Sequence, residues 1–107
     1  MAFFIKQNDT SPALQVILKD GTDTVVNLTA TSVRFHMRPI GSSAVKIDAP
    51  ATISNAQGGI VYYQWTTGDT DTIGSFECEF EVTYTGGEIE TFPNNQFIDV
   101  EITDDII

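Results

Sequence analysis

The side chains of this chain that could do chemistry are mainly carboxylates, and they are concentrated in one stretch. Glu77, Glu79 and Glu81 alternate along a single run, and Glu88 and Glu90 follow it closely. Alternate residues of a strand point to the same side of a sheet, so the first three carboxylates should share one face. The plain interpretation is a solvated face with ion-pair partners on a neighbouring strand. The alternative is an acidic patch that docks a basic surface on another subunit.

Basic partners for this face are predicted on an earlier run, residues 33–39 (VRFHMRP). Arg34, His36 and Arg38 alternate there with apolar residues, so they should share the polar side of a strand. In an immunoglobulin-like strand order this strand lies beside the glutamate strand. Arg34 and Arg38 can then form cross-strand ion pairs, each stabilising the sheet by roughly 0.2 to 1 kcal/mol.

Catalytic chemistry has few candidates. His36 is the only histidine, and the polar side of an open strand is a poor setting for a catalytic triad. Cys78, the only cysteine, falls on the apolar side of the glutamate strand, which favours a buried and unreactive thiol. Paired carboxylates catalyse glycoside hydrolysis only when they flank a cleft, which the spacing does not indicate. No nucleophile elbow, P-loop or dinucleotide fingerprint occurs, so the sequence predicts neither an enzyme nor a cofactor.

Two features leave a carbohydrate- or calcium-dependent adhesion module open as an alternative of a different class. Asp69 and Asp71 lie two residues apart in a predicted loop, residues 68–72 (GDTDT), and are weak candidates for metal ligands. The spacing departs from the EF-hand pattern, and a turn held by carboxylate hydrogen bonds explains the loop better. Tyr62 is predicted to be exposed and could stack on a sugar, whereas Trp65 lies on the apolar side and belongs to the core.

Charge is distributed unevenly along the 107 residues, which carry a net charge of -10. Residues 1–53 hold all five basic side chains and four carboxylates, whereas residues 54–107 hold eleven carboxylates and no basic side chain. Phosphate contacts need lysine and arginine, so we do not expect nucleic acid as a partner. The first residues lack the basic segment of a secretion signal, and no run is long enough to span a membrane, so we expect no membrane insertion.

The elements that must position these side chains are short strands. β-Branched and aromatic residues dominate the runs, turn signals recur about every 8 to 12 residues, and no window has helical periodicity. Strands are predicted at residues 13–19, 24–28, 33–39, 44–47, 60–65, 75–84, 88–92 and 97–103, with hairpin turns at Asp20-Gly21 and residues 85–87. Pro50 makes residues 48–53 ambiguous and suggests an edge position. The predicted fold class is all-β: an immunoglobulin-like antiparallel β-sandwich of about seven to nine short strands in two sheets.

One domain accounts for the chain, residues 1–107, and alternation predicts its core. The core side chains expected in the central stretch, residues 58–92, are Tyr63, Trp65, Phe76, Phe80 and Val82. Residues 1–12 end in a polar, proline-containing segment and can form an N-terminal arm.

Five segments occur along the chain in this order: residues 9–14 (DTSPAL), the Asp20-Gly21 turn, residues 33–39, residues 58–82 (GGIVYYQWTTGDTDTIGSFECEFEV) and residues 91–102 (TFPNNQFIDVEI). The most distinctive set within them is G-x-V-x-Y-x-W followed by D-T-x-x-x-G-x-F-x-x-E-F. Together these segments resemble the N-terminal domain of tailed-phage baseplate upper proteins and related immunoglobulin-like virion proteins. The resemblance covers nearly the whole chain.

The resemblance implies a structural component of the virion, an attachment module of the tail or baseplate that binds other phage structural proteins. It implies several copies or a homo-oligomer, in a virion assembled in the host cytoplasm. Domains of this kind often begin longer proteins, so with the chain ending at Ile107 we expect the receptor-binding portion to be absent. Similar small domains decorate phage heads, so a head decoration protein stays an alternative. The surface residues expected to make contacts are Glu77, Glu79, Glu81, Glu88, Glu90, Arg34, Arg38, Phe3 and Phe4.

Overall fold

Nine strands make up the regular structure in a computed structural model that describes residues 2–107. They are β1 (Ala2–Lys6), β2 (Leu14–Ile17), β3 (Ser32–Pro39), β4 (Ile47–Pro50), β5 (Thr52–Asn55), β6 (Ile60–Tyr63), β7 (Gly74–Thr83), β8 (Ile89–Phe92) and β9 (Ile98–Thr103). The described residues contain no helix, and therefore none that could cross a membrane. The predicted all-β fold class is confirmed.

The strands form two sheets of unequal size. The large sheet has the order β1-β9-β7-β3-β4, with β8 also paired to β7, and the small sheet has the order β2-β6-β5. All neighbours are antiparallel except β1, which runs parallel to β9. The predicted sandwich is thereby confirmed, with one parallel pair that alternation alone does not reveal.

Strand β7 is the longest and lies at the centre of the large sheet. One edge pairs with β3 from Phe76 to Thr83. The other edge pairs first with β9, over Gly74–Cys78, and then with β8, over Phe80–Thr83. The tight turn predicted between β7 and β8 is present, because the Tyr84 amide donates to the Glu88 carbonyl. This strand therefore fixes the side chains of three neighbours relative to one another.

The core lies between the two sheets and follows the predicted alternation. The side chains of Tyr63, Trp65, Phe76, Phe80 and Val82 are all buried, as expected. Phe35 of β3 joins the sheets by stacking on Tyr63, with ring centroids 4.3 Å apart, and by an edge contact with Trp65 at 5.7 Å. Burying one large apolar side chain contributes about 1.5 to 3 kcal/mol, and aromatic pairs add about 0.5 to 1.5 kcal/mol. This cluster is what holds the small sheet under the large one.

The predicted strand at residues 24–28 is wrong. Only Val25 bridges Lys19, and the next amides go to different partners: Val26 donates to the Leu18 carbonyl and Leu28 to the Ala56 carbonyl. A strand needs successive bonds to one neighbour, so this segment crosses the end of the small sheet instead of joining it. Gly59 permits that crossing, because its φ is +66° and a Cβ there would lie 2.8 Å from the Val26 carbonyl oxygen.

The strand predicted at residues 44–47 is displaced. Regular pairing begins only at Ile47, because the preceding residues form a turn in which the Ala44 amide donates to the Ser42 hydroxyl. The ambiguous residues 48–53 belong partly to β4 and partly to β5. Pro50 lies on β4, which among residues 2–107 pairs with β3 alone, so the predicted edge position is correct.

The N-terminal residues lie on the sheet. Met1 is outside the described residues, and Ala2–Lys6 form β1 against β9. The following segment is also bonded: the Asn8 amide donates to the Thr70 carbonyl, and Trp65 Nε1 donates to the Pro12 carbonyl. The N-terminal arm was expected over residues 1–12, and its described part, residues 2–12, packs along the sandwich.

Candidate functional site

The outer face of the large sheet, the side turned away from the small sheet, brings together most of the predicted contact residues. In the register of β3 and β7, Arg34 lies opposite Glu81, His36 opposite Glu79 and Arg38 opposite Glu77. The arginine strand and the glutamate strand are therefore direct neighbours, as the sequence predicted. Because β3 and β7 each have a neighbouring strand on both sides, these side chains lie in the interior of the sheet and not at its edge.

One of the two predicted arginine–glutamate ion pairs is present. Arg38 Nε lies 3.0 Å from Glu77 Oε1, and the Glu77 side chain is only 19% exposed. Arg34 instead donates to Asp48 of β4, from Nε to Oδ1 at 2.9 Å and from a terminal nitrogen to the carbonyl at 3.0 Å. Strand β4 lies on the other side of β3 and supplies this second carboxylate. The hydrogen bond from Arg34 lowers the pKa of Asp48.

His36 lies between two carboxylates from different strands. Its Nδ1 is 3.0 Å from Glu79 Oε2 on β7, and its Nε2 is 3.3 Å from Asp48 Oδ1 on β4. Both ring nitrogens therefore have carboxylate partners. The arrangement joins β4, β3 and β7 across the outer face, and its geometry is that of a structural link.

A groove of about 390 Å³ crosses β3 and β7 on this face. Its floor, on β3 and β7, includes His36, Arg38, Glu77 and Glu79. Val45 lines it at the end next to β4, and Phe97 lines it at the end next to β9. Val45 lies in the β3–β4 loop and is 62% exposed, and Phe97 directly precedes β9 and is 44% exposed. The Arg38 guanidinium carbon lies 5.2 Å from the centre of the Phe97 ring, within the range of a cation–π contact. The groove thus combines a charged floor with apolar ends.

The outer face carries more acidic than basic side chains. By strand register its carboxylates are Asp48, Glu77, Glu79, Glu81, Asp99 and Glu101, and its basic side chains are Lys6, Arg34 and Arg38. Among residues 2–107, no ion pair reaches Glu81, Asp99 or Glu101. The imbalance is greatest on the β7–β9 side, because the arginines stand on β3.

Glu88 and Glu90 do not join this face. Glu88 is exposed in the β7–β8 turn. Glu90 lies opposite Val82, whose side chain points into the core, and it accepts a hydrogen bond from the Tyr84 hydroxyl at 2.7 Å. Burial, together with this bond, raises the pKa of Tyr84 to about 12. The hairpin therefore separates these two carboxylates from the three on β7.

Phe3 and Phe4 point to opposite sides of β1. Phe3 packs against the core, with its ring centre 6.0 Å from that of Trp65. Phe4 is 66% exposed and lies opposite Glu101, on the outer face. Of the two phenylalanines predicted to make contacts, Phe4 is therefore exposed, whereas Phe3 is partly buried against the core.

The loop with Asp69 and Asp71 is held by hydrogen bonds. Asp69 Oδ2 accepts from the Tyr63 hydroxyl at 2.6 Å and from the Thr66 amide at 2.8 Å. Asp71 Oδ1 accepts from Lys46 Nζ at 2.7 Å, and that bond lowers the pKa of Asp71. The two carboxylates thus have separate partners, and within residues 2–107 no three potential metal-ligating side chains converge.

The two remaining chemical candidates lie elsewhere. Cys78 is fully buried on the inner side of β7, where burial raises the pKa of its thiol and keeps it protonated. Tyr62 lies on the outer side of the small sheet, half-buried in a row with Gln15 and Thr52. The single half-buried ring is a small surface for stacking on a sugar.

Three exposed groove residues were not predicted as contact residues: Val45, Asp48 and Phe97. The sequence could have identified Phe97. It shares the alternation of Asp99 and Glu101, so it is an aromatic residue on the polar side of its strand. Nothing comparable in the sequence indicated Val45 and Asp48, because the predicted strand ended at residue 47, where β4 begins. An apolar residue on a polar face is the pattern that could have identified this surface.

Comparison with known proteins supports the fold and identifies the family. The crystal structure of CopC from Methylosinus trichosporium OB3b is similar with a TM-score of 0.54 and 9% sequence identity, over 99% of this chain and 87% of that chain. At that identity the likeness concerns the fold alone. A comparison with curated protein sequences gives no match. The family model of the BppU N-terminal domain matches residues 3–107. The chain therefore belongs to the family of baseplate upper protein N-terminal domains, structural domains of the phage baseplate.

Proposed function

We propose that this domain is a non-enzymatic attachment module that holds other virion proteins at the phage baseplate and is present there in several copies. The observation that carries the proposal is the outer face of the large sheet. It is open, carries an excess of carboxylates and is flanked by the exposed apolar side chains of Phe4, Val45 and Phe97. Protein interfaces combine apolar anchors with charges that select the partner.

The rigidity of this face also suits docking. Arg34, His36 and Arg38 are each held by a carboxylate on a neighbouring strand at 2.9 to 3.0 Å. Side chains that are already fixed lose little conformational entropy when a partner binds, so more of the contact energy appears as affinity. The same contacts make the face a poor catalytic surface, because its only histidine already has partners on both ring nitrogens.

Mass spectrometry and immunogold labelling of purified phage particles test the proposal together. We expect the protein among the virion components and gold particles confined to the baseplate end of the tail. Labelling of the head would favour a decoration protein instead. Absence of the protein from particles would contradict any structural role in the virion.

A further inference from the structure

We infer that the groove between Val45 and Phe97 receives a basic segment of another virion protein, with an arginine or lysine of that segment placed over the β7–β9 carboxylates. This inference rests on the proposed function and adds the surface and the partner's chemistry. It depends on three features of the outer face: an uncompensated charge, a groove beside that charge and apolar ends that can hold a side chain.

The uncompensated charge lies at the β7–β9 pair. Glu77 and Asp99 are directly opposite in the register, and like charges in that position destabilise a sheet. Arg38 neutralises Glu77, but the ion pairs among residues 2–107 leave Asp99 without a basic partner. Glu81, which lies further along β7 opposite Thr91 of β8, also lacks a basic partner, because the arginine opposite it on β3 bonds to Asp48. Glu81 is four residues along β7 from Glu77, roughly 13 Å, so two basic side chains of one incoming segment would relieve the two carboxylates.

The groove places an incoming chain beside these carboxylates. Its floor includes Glu77 and Glu79, so Asp99 adjoins it across the sheet and Glu81 adjoins it along β7. Val45 and Phe97 stand at its ends and can pack against an apolar side chain or the aliphatic part of a lysine or arginine. Phe97 also presents a ring to a second cation, as it already does to Arg38.

Charge also decides against a second copy of this chain as the occupant. Two outer faces would bring two sets of six carboxylates together, and like-charge juxtaposition in an interface costs several kcal/mol. The outer side of the small sheet, in contrast, carries only uncharged residues in its paired rows: Gln15, Tyr62, Thr52, Ile17, Ile60 and Asn55. The acidic side therefore selects a basic protein of a different kind.

Titration of the isotope-labelled domain with a short synthetic peptide of alternating arginine and valine tests this inference. Chemical-shift changes should map to Glu77, Glu79, Asp99 and Phe97, weaken as salt is added, and be absent with a peptide of alternating glutamate and valine. Changes centred on the small sheet, or equal binding of both peptides, would overturn the inference.

Matched variants locate the contact. Glu81→Gln and Asp99→Asn should each weaken binding of the arginine peptide by about two- to fivefold, whereas Glu88→Gln, in the β7–β8 turn, should leave it unchanged. Phe97→Ala should weaken binding more than Ile89→Ala, which removes an apolar side chain that is more exposed, 62% against 44%, but does not line the groove. If each variant behaves like its control, the groove is not the contact site. Immunogold labelling of the baseplate does not depend on that outcome, so the proposed function stands or fails separately.

Discussion

Some side chains that the sequence suggests as metal ligands have a structural role in the folded domain. Asp69 resembles a metal ligand in its spacing, yet its carboxylate accepts hydrogen bonds from the Tyr63 hydroxyl and from the amide and hydroxyl of Thr66. The hydroxyl belongs to a tyrosine that stacks on Phe35 in the core. Asp69 therefore links the loop after β6 to the aromatic cluster between the sheets.

Replacing Asp69 by alanine should destabilise the domain, because the Tyr63 hydroxyl then loses its charged acceptor. A hydrogen bond to a charged group contributes about 1.5 to 3 kcal/mol, and urea unfolding should show a loss of this size. Asp69→Asn, which keeps an oxygen acceptor, is the matched control and should lose less.

Calcium should leave the melting temperature of the wild-type domain unchanged. A calcium-dependent rise that disappears in Asp69→Ala would instead support a metal site.

Acid stability should depend on Asp71 and its partner Lys46. The bond from Lys46 lowers the folded-state pKa of Asp71 below the value of about 3.9 for an unfolded chain. The resulting stabilisation is fully present above the unfolded pKa and is lost as the pH falls through the folded pKa. Below about pH 4, Lys46→Met should therefore reduce the pH dependence of the unfolding free energy. Lys19→Met is the control, because Lys19 and Asp23 are 3.6 Å apart and largely exposed. Equal pH profiles for the two variants would contradict the assignment.

At the scale of elements, strand β1 changes the description of the N-terminus most. From the sequence, these residues were expected to belong to an N-terminal arm. In the structure they pair in parallel with the last strand, β9, which is far away in the sequence. Such pairing depends on where β9 ends up in the sheet, which local alternation cannot show. The two sides of β1 do differ in burial, since Ile5 is buried and its neighbour Phe4 is exposed.

The two neighbouring residues of β1 should respond differently to truncation. Ile5→Ala removes a buried side chain and should cost about 2 to 5 kcal/mol, whereas Phe4→Ala should change stability by about 0.5 kcal/mol or less. Thermal and urea unfolding of both variants measure the difference. Equal and small effects would mean that the first strand contributes little to the sandwich.

The strongly alternating elements were predictable, and the irregular ones were not. In β3 and β7 one side of each strand is buried and the other is polar, so the sequence specified their positions, faces and pairing. Residues 24–28 have the composition of a strand, but their amides are divided between two partners. The same limit applies to the groove: Glu77 and Glu79 were visible as a pattern, whereas Val45 reaches them only through the turn before β4.

The whole molecule has two chemically different sides. The large sheet carries a charged outer face with exposed apolar ends, and the paired rows of the small sheet are uncharged. The domain measures 45 × 26 × 23 Å. A virion protein that must contact more than one neighbour can use such sides for different partners, with charge selecting which partner binds where.

Electron cryomicroscopy of the intact phage baseplate tests the account most directly, because it shows which side of the domain is covered in the assembled particle. We expect the outer face of the large sheet to lie against another virion protein, with density for a basic side chain near Asp99 or Glu81 and an apolar contact at Phe97. A baseplate in which that face is open to solvent while the small sheet makes the contacts would contradict the account.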